Sequence, residues 1–375
     1  MADVTIPLAR PWITEREHEL VREVLDSGIL SLGPMLRRFE EAFAEWNGTR
    51  HAVACSSGTT GLHLACITSG FGPGDEVVTS PFSFVASANA IRYTGATVVF
   101  ADVDPDTLNL DPARVEEAVT ERTRGLLPVH IFGYPADMDP LMDTARRHEL
   151  AVVEDACEAI GASYRGRRIG TFGNPAMYGF YPNKQMATGE GGILVTDDDD
   201  LAAQWHSLLN QGRSDSGEWL EHARLGYNYR MSDVAAAIGL AQLERIDEIL
   251  ERRAAAAARY DRLLAGIDGI RLPYRGEHER SWFVYWVQVE DGIDRNAVMA
   301  ALGERGIQSK PYLPSIHLQP AYRELGFGEG MFPNAERLSR QCLAIPFHTM
   351  IEEADQQRVA ESLAEVLAAA AVPAG

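Results

Sequence analysis

The first two-thirds of the chain alternate between short apolar runs and segments with helical periodicity, and this alternation limits the folds open to it. Apolar residues recur every three or four positions at 59–69, 84–93, 112–119 and 140–148, as on one face of a helix. Near-continuous apolar runs, typical of buried parallel strands, occupy 51–56, 76–79, 97–101, 125–130, 151–154, 177–181 and 193–196. Because parallel strands need crossover connections, the pattern predicts an α/β fold with a mostly parallel sheet covered by helices on both faces.

A different pattern begins near residue 232. The stretch from 232 to about 267 is rich in Ala, Leu, Glu and Arg and contains no proline, so it predicts one long helix that bridges two domains. Behind it we expect a strand at 282–290 and helices at 295–305 and 353–370. A chain of 375 residues also has the length of two domains. We therefore predict a large α/β domain at 1–245, including the N-terminal segment, and a smaller C-terminal α+β domain at 246–375.

The charge balance argues against anionic macromolecules as partners. The chain has 34 Lys and Arg residues against 54 Asp and Glu residues, a formal net charge of −20, and such a surface repels the phosphates of nucleic acid and of anionic membranes. No apolar run is long enough to span a membrane, and the N-terminal residues lack the apolar core of a signal peptide. The four cysteines include no CxxC pair, so we interpret them as packing residues. We expect a cytoplasmic protein that binds no nucleic acid, membrane or metal.

Lysine occurs at only two positions, Lys184 and Lys310, while every other basic residue except histidine is an arginine. Because lysine can form a Schiff base and arginine cannot, a chain that otherwise uses arginine makes these two positions informative. Lys184 lies in a glycine-rich turn between two predicted buried strands, a place where the backbone can pass close to a ligand and an amine can react with it. The alternative is that the two lysines have no special role and merely remain in a composition that favours arginine.

Two further segments place polar groups at the ends of predicted strands. Residues 55–61, Cys-Ser-Ser-Gly-Thr-Thr-Gly, follow a strand and begin a helix, where free backbone N–H groups favour a phosphate; an ordinary helix cap is the alternative. Glu154 and Asp155 end another strand, at the edge where α/β folds bind ligands, and a helix cap is again the alternative. An anion site, an acid and an amine are what pyridoxal 5'-phosphate (PLP) needs for its phosphate, its pyridine nitrogen and its aldehyde.

These motifs resemble those of the DegT/StrS family of PLP-dependent sugar aminotransferases, within the fold type I, aspartate aminotransferase-like superfamily. The resemblance covers nearly the whole chain, and its most specific parts are the EDA segment at 154–156 and the YPNKQMATGEGG turn at 181–192. It implies a fold type I PLP-dependent transferase, with a mostly parallel central sheet and a smaller C-terminal α+β domain. It also implies PLP as cofactor and a homodimer with shared active sites.

The resemblance also assigns residues. Lys184 matches the lysine that forms the Schiff base and acts as general base, and Asp155 matches the partner of the pyridinium nitrogen. The remaining matches to cofactor-binding positions are Gly58, Thr59, Thr60, Phe84 and Asn228. In the family the first three bind the phosphate, the aromatic residue stacks on the ring, and the asparagine reaches the phosphate from the neighbouring subunit. Arg230, two residues further on, is a weaker match.

Two positions depart from the common family pattern. Gly179 stands where many members have a serine that donates to the phosphate, so backbone or water must replace that contact. Glu158 stands where many members have Gln or His near the phenolic oxygen of the cofactor. Because an anionic carboxylate repels a phenolate, we do not expect Glu158 to donate a hydrogen bond there.

A C-terminal loop carries the candidate substrate-binding residues Lys310, Tyr312 and His317. Lys310 could meet a diphosphate as a point charge, and His317 could contact a sugar or a nucleotide or be an ordinary surface residue. The resemblance implies transamination from L-glutamate to a nucleotide-linked keto-deoxysugar, most closely a 4-keto-6-deoxyhexose, in amino-sugar, polysaccharide or glycoside biosynthesis. The alternatives are a 3-keto sugar or cyclitol aminotransferase of the same family, or a non-catalytic PLP-binding regulatory protein.

Overall fold

The computed structural model describes residues 5–214, 218 and 220–370. Its strands are β1 (His51–Cys55), β2 (Glu76–Thr79), β3 (Thr97–Phe100), β4 (Thr123–Leu127), β5 (Ala151–Val152), β6 (Glu154–Asp155), β7 (Ser163–Tyr164), β8 (Arg167–Arg168), β9 (Ala176–Gly179), β10 (Gly192–Thr196), β11 (Ile270–Arg271), β12 (Tyr285–Val289), β13 (Lys310–Pro311) and β14 (Cys342–Ile345). Strands therefore lie at or beside every segment where the sequence predicts one.

The α-helices alternate with these strands in the first half of the chain and pack on the sheet. They are α1 (Glu15–Ser27), α2 (Pro34–Asn47), α3 (Gly58–Thr68), α4 (Ala86–Tyr93), α5 (Pro112–Ala118), α6 (Met138–Arg147), α7 (Asp199–Leu209), α8 (Asp233–Leu243), α9 (Ile246–Leu264), α10 (Arg295–Glu304), α11 (Pro320–Arg323), α12 (Pro333–Gln341) and α13 (Glu353–Ala370). Short 3-10 helices occupy Ile131–Gly133 and Ile316–Leu318. Within the described residues, no helix is long and apolar enough to cross a membrane.

The central sheet is mostly parallel, as the sequence predicts. Its strands follow the orders β1-β10-β9-β6 and β3-β2-β4-β5. These two parts form one sheet because only Val153 separates β5 from β6, and the Asp155 N–H donates across to the Pro128 carbonyl at 2.9 Å. Only β10 runs against its neighbours in this sheet, while the other pairs are parallel. Strands β1, β2, β4, β6 and β9 consequently end at the same edge, and the segments that follow them meet there.

The prediction of one long helix from 232 to about 267 is wrong. The structure has two helices, α8 and α9, which are separated by a break at Arg245. The two helices have different partners: α8 packs against α1 and α2, whereas α9 packs against α13. At the break, the guanidinium of Arg245 donates to the Trp12 carbonyl at 3.2 Å and pairs with Glu17. A turn at this point lets each helix bury its apolar residues against a different layer.

The C-terminal part of the chain has its own antiparallel sheet, in the order β11-β12-β14-β13, and this confirms the predicted α+β architecture. Helix α13 packs against both α9 and α10, and α10 also contacts β14. One apolar cluster runs from Val53 in the central sheet to Val287 in the C-terminal sheet, so the two sheets share packed side chains. The domain boundary near residue 245 stays a prediction.

Candidate active site

A pocket of about 610 Å³ lies at the edge where the parallel strands end. The segments that line it follow β1, β2, β4, β6 and β9 and include part of the C-terminal region. The predicted site residues among its lining are Gly58, Thr59, Phe84, Asp155, Lys184 and Tyr312. The structure therefore gathers into one cavity residues that are more than 250 positions apart in the sequence.

Lys184 lies in the turn that follows β9, and its side chain is mostly buried. The Nζ atom donates to Glu158 Oε1 at 3.1 Å, and the two side chains are only 14% and 8% exposed. The same Nζ lies 3.9 Å from the centroid of the Phe283 ring, a distance at which the ring face attracts a cation. The lysine amine is thus held at one point of the pocket by a carboxylate and an aromatic ring.

Asp155 ends β6 and is 5% exposed. One carboxylate oxygen accepts a hydrogen bond from the Ser87 hydroxyl at 2.6 Å, and the other accepts one from the Cys157 N–H at 3.1 Å. These bonds fix the orientation of the carboxylate, which the pocket needs if Asp155 is to face a cationic ring nitrogen. The sequence did not point to Ser87, because this residue lies in α4 and reaches Asp155 only through tertiary packing.

The N-terminus of α3 forms the anion end of the pocket. Ser57 caps the helix: its hydroxyl accepts from the Thr60 N–H at 3.2 Å, and the Thr60 hydroxyl accepts from the Ser57 N–H at 3.0 Å. The first N–H groups of a helix have no partner within the helix, so those of Gly58 and Thr59 are free for a phosphate. Thr60 does not line the pocket; it builds the cap that presents its neighbours.

Two glycines bring the backbone close to this end of the pocket. A Cβ placed on Gly58 would lie 3.1 Å from Cys157 Sγ, and one placed on Gly179 would lie 3.3 Å from the same atom. Cys157 thus fills the space beside the position where many family members have a serine. Burial raises the pKa of its thiol well above the usual range, with a further contribution from the Asp155 charge. We therefore regard Cys157 as a neutral packing group at the pocket wall.

Tyr312 contributes a polar group to the opposite wall. Its hydroxyl oxygen accepts a hydrogen bond from Asn183 Nδ2 at 3.1 Å. Burial, together with the negative charge of Glu158, raises the pKa of Tyr312, so its hydroxyl keeps its proton and can donate it. Phe84 also borders the pocket and is 60% exposed, which leaves its ring free to stack on a planar ligand. Neither Asn183 nor the contact between Glu158 and Lys184 was predicted from the sequence.

The structure does not bring three other predicted residues into this pocket. Asn228 is exposed and lies beside Tyr229, whose carbonyl accepts from the Ser56 N–H at 2.7 Å. Lys310 is exposed at the start of β13, two residues before Tyr312. The substrate contact expected at His317 needs correction, since this ring is fully buried and pairs with Glu336 at 3.1 Å.

The described residues fit PLP. The helix N-terminus suits the phosphate, the buried carboxylate of Asp155 suits a protonated ring nitrogen, and the amine of Lys184 suits an aldehyde. Gly58 suits this end of the pocket, because a Cβ there would lie 3.1 Å from the Cys157 thiol. This fit depends only on groups of the chain itself: the N–H groups of α3, the Asp155 carboxylate and the Lys184 amine.

Comparisons with known proteins show which proteins the chain is similar to. GDP-perosamine synthase from Caulobacter vibrioides is 41% identical over 369 residues, which cover 96% of this chain and 98% of that protein. The spore coat polysaccharide biosynthesis protein SpsC from Bacillus subtilis is 39% identical over 377 residues and 97% of its length. Among solved structures, the PLP form of the sugar aminotransferase Spr1654 from Streptococcus pneumoniae superposes with a TM-score of 0.94 at 28% identity, over 98% of this chain and all of that one.

A sequence profile of one family matches nearly the whole chain, from residue 11 to residue 364. Its description is the DegT/DnrJ/EryC1/StrS aminotransferase family, and the relatives above share full-length similarity with the chain. The chain belongs to this family and is a PLP-dependent aminotransferase of fold type I.

Proposed function

We propose that this chain transfers the amino group of L-glutamate to a nucleotide-linked 4-keto-6-deoxyhexose, in the biosynthesis of a polysaccharide or a glycoside. The observation that carries the proposal is the convergence of Lys184, Asp155 and the α3 N-terminus on one pocket, in a chain 41% identical to a GDP-perosamine synthase. The segments 27–34, 81–91 and 182–192 add support, because they resemble members that aminate 4-keto sugars. A purely regulatory role is set aside, since the chain is an aminotransferase.

The cofactor supplies an aldehyde that accepts amino groups and a ring that withdraws electrons. The N–H groups of Gly58 and Thr59 hold the phosphate at the positive end of α3. Asp155, oriented by Ser87, keeps a proton on the ring nitrogen, because a carboxylate beside a heterocyclic nitrogen favours its protonated form. Phe84, which lines the pocket, would stack on the ring.

Lys184 carries the proton in both halves of the reaction. With glutamate in the pocket, its amine removes the proton from the α-carbon as general base. With the keto sugar in the pocket, the side chain returns a proton to the carbon that receives the amino group. Its mostly buried position keeps it near the reacting atoms, which favours proton transfer over exchange with water.

The substrate side of the pocket lies toward the C-terminal region. Tyr312 offers a hydroxyl donor to the sugar, because Asn183 already donates to its oxygen and leaves the proton available. Lys310, exposed two residues away, offers a point charge to the diphosphate of the nucleotide. The relative named GDP-perosamine synthase makes a GDP-linked sugar the first nucleotide sugar to test.

The proposal includes a homodimer in which Asn228 reaches the phosphate site of the partner. Several apolar side chains on the chain's surface are free for such an interface, namely Ile29, Leu30, Leu32 and Leu225, the last 87% exposed.

A mixing experiment tests the shared site. Lys184→Ala and Asn228→Ala, each inactive, should regain about a quarter of wild-type activity after subunit exchange, because about half the dimers are mixed and each has one intact site. No gain despite proven exchange would place Asn228 in its own chain's site.

The function itself is tested by incubating the holoenzyme with L-glutamate and a panel of nucleotide keto sugars. The panel includes GDP- and dTDP-linked 4-keto-6-deoxyhexoses, a dTDP-linked 3-keto sugar and a keto-cyclitol, with products identified by mass spectrometry. We expect an amino sugar from a 4-keto substrate together with one equivalent of 2-oxoglutarate. Turnover of the 3-keto sugar or the cyclitol alone would reject the proposed substrate.

A further inference from the structure

Glu158 occupies a family position where Gln or His is common, and the structure shows a different use for it. Its Oε1 accepts from Lys184 Nζ at 3.1 Å, while its Oε2 accepts from the Phe132 N–H at 2.9 Å. The backbone carbonyl of Glu158 also accepts from Gln185 Nε2 at 2.6 Å. The residue therefore contacts the lysine turn through both its carboxylate and its main chain.

Phe283 is a second contact of the Lys184 amine. Its ring centroid lies 3.9 Å from Lys184 Nζ. Arg253, a buried residue of α9, donates to the carbonyls of Trp282 and Phe283 at 2.6 and 2.5 Å, which fixes the backbone that carries the ring. Both partners of the amine are consequently held by bonds that do not involve Lys184.

We propose that Glu158 and Phe283 form an amine-holding site, which receives the Lys184 side chain whenever it is not covalently attached to the cofactor. Within it, Glu158 acts as a positioning residue that stabilises the positive charge Lys184 gains when it takes up a proton. A carboxylate and an aromatic face both attract an ammonium at short range. The role in proton transfer rests on the proposed function of Lys184, whereas the holding of the free amine does not.

The proposal has two consequences that move in opposite directions when the charge of Glu158 is removed. The free amine becomes more reactive toward an added electrophile, because the carboxylate that binds it at 3.1 Å is replaced by a neutral amide. The reaction with glutamate becomes slower, because the positive charge formed on Lys184 in that step is no longer stabilised. A slower glutamate reaction without a more reactive amine would contradict the proposal.

The first measurement is trace acetylation of the full-length chain freed of cofactor, at one fixed pH, with mass spectrometry of each lysine. Because the chain has only two lysines, exposed Lys310 is an internal standard for Lys184. Glu158→Gln should raise the acetylation ratio of Lys184 to Lys310 about tenfold, the lower end of the effect of an adjacent opposite charge. Glu121→Gln, which removes the same charge from an exposed position outside the pocket, should leave this ratio unchanged.

The second measurement follows the glutamate reaction of the holoenzyme in a single turnover, by the absorbance of its cofactor. Glu158→Gln should slow this reaction at least about tenfold. An acetylation ratio within twofold of wild type, or a fall in both readouts, would overturn the proposal. A failed sugar panel leaves both measurements valid, since neither involves the sugar.

Phe283→Leu keeps an apolar side chain and removes the ring face. It should raise the acetylation ratio about threefold, in line with the smaller energy of a cation–ring contact. This variant decides the question if Glu158→Gln does not fold, as judged by far-UV circular dichroism and by the acetylation of Lys310. In that case an unchanged ratio in Phe283→Leu overturns the proposal.

Discussion

The pocket has two walls that are built in different ways. The cofactor wall consists of Gly58, Thr59, Asp155 and Lys184, which follow strands of the central sheet. The C-terminal wall consists of Phe283, Tyr312 and Leu313. Short sequence motifs set the first wall, since Asp155 ends a strand and the other three residues lie within five positions after one. Packing between distant segments sets the second, for example through Arg253 and the Ile316 N–H, which donates to the Pro81 carbonyl at 2.8 Å. We expect the first wall to serve the cofactor and glutamate, and Tyr312 of the second wall to serve the sugar.

The largest effect should come from the amine of the cofactor wall. Lys184→Ala should slow the single-turnover reaction with glutamate at least about a thousandfold, or about 4 kcal/mol of barrier, because the general base is lost. Lys310→Ala is the matched control, since it removes the only other lysine from an exposed position outside the pocket. Equal losses in the two variants would mean that Lys184 has no special role.

The next effect should come from the acid of the same wall. Asp155→Asn should slow the glutamate reaction about a hundredfold, or about 2.7 kcal/mol, because a neutral amide does not favour a protonated ring nitrogen. Binding of PLP, measured by equilibrium dialysis, should change much less than the rate. A rate within threefold of wild type would show that Asp155 only caps the following turn.

The C-terminal wall should show the reverse pattern. Tyr312→Phe should lower kcat/KM for the keto sugar about tenfold, or about 1.4 kcal/mol, because it removes one hydroxyl donor and keeps the ring. The glutamate reaction should stay within twofold of wild type. If both reactions fell together, Tyr312 would belong to the cofactor wall, and the division between the walls would fail.

The same division explains how much could be predicted from the sequence. Lys184 and Asp155 are predictable because each stands beside an apolar strand in a short motif. Ser87 is not predictable, because its contact with Asp155 depends on how α4 packs, 68 residues away in the chain. The sequence predicts a loop at His317, whereas the structure buries its ring against Glu336. The burial was not predictable, because Glu336 lies 19 residues further along the chain.

Two other differences have the same origin. Charge alone led us to expect that Glu158, as an anion, would not donate a hydrogen bond to the phenolic oxygen. Its contact with Lys184 was not predicted, because that contact depends on how the turn after β9 folds over Glu158. The single helix expected at 232–267 fails at Arg245, where a change of packing partner ends the helix without proline or glycine. Local pattern thus predicts the strands and the motifs, and contacts between segments decide the rest.

A smaller effect should follow from the support beneath Asp155. Ser87→Ala should slow the glutamate reaction about fivefold, or about 1 kcal/mol, because the carboxylate keeps its bond from the Cys157 N–H and loses the one from the hydroxyl. Ser83→Ala is the control: its hydroxyl contacts Ser87 at 3.1 Å, so it should cost less than twofold. If both variants slowed the glutamate reaction equally, the cause would be a change in the packing of α4 and not the loss of the hydrogen bond to Asp155.

The smallest effect concerns Gly179, where the cofactor wall departs from its family. Gly179→Ser alone should weaken PLP binding about threefold, because the new Cβ would lie 3.3 Å from both the Cβ and the Sγ of Cys157 and must displace them. Gly179→Ser combined with Cys157→Ala should bind PLP about threefold more tightly than wild type, because the hydroxyl gains room to donate to the phosphate, a bond worth about 0.7 kcal/mol. Cys157→Ala alone is the control for the loss of the thiol, with dissociation constants measured by equilibrium dialysis. If Gly179→Ser alone tightened binding as much as the double variant, Cys157 would not be what keeps a side chain from this position, and the glycine would need another explanation.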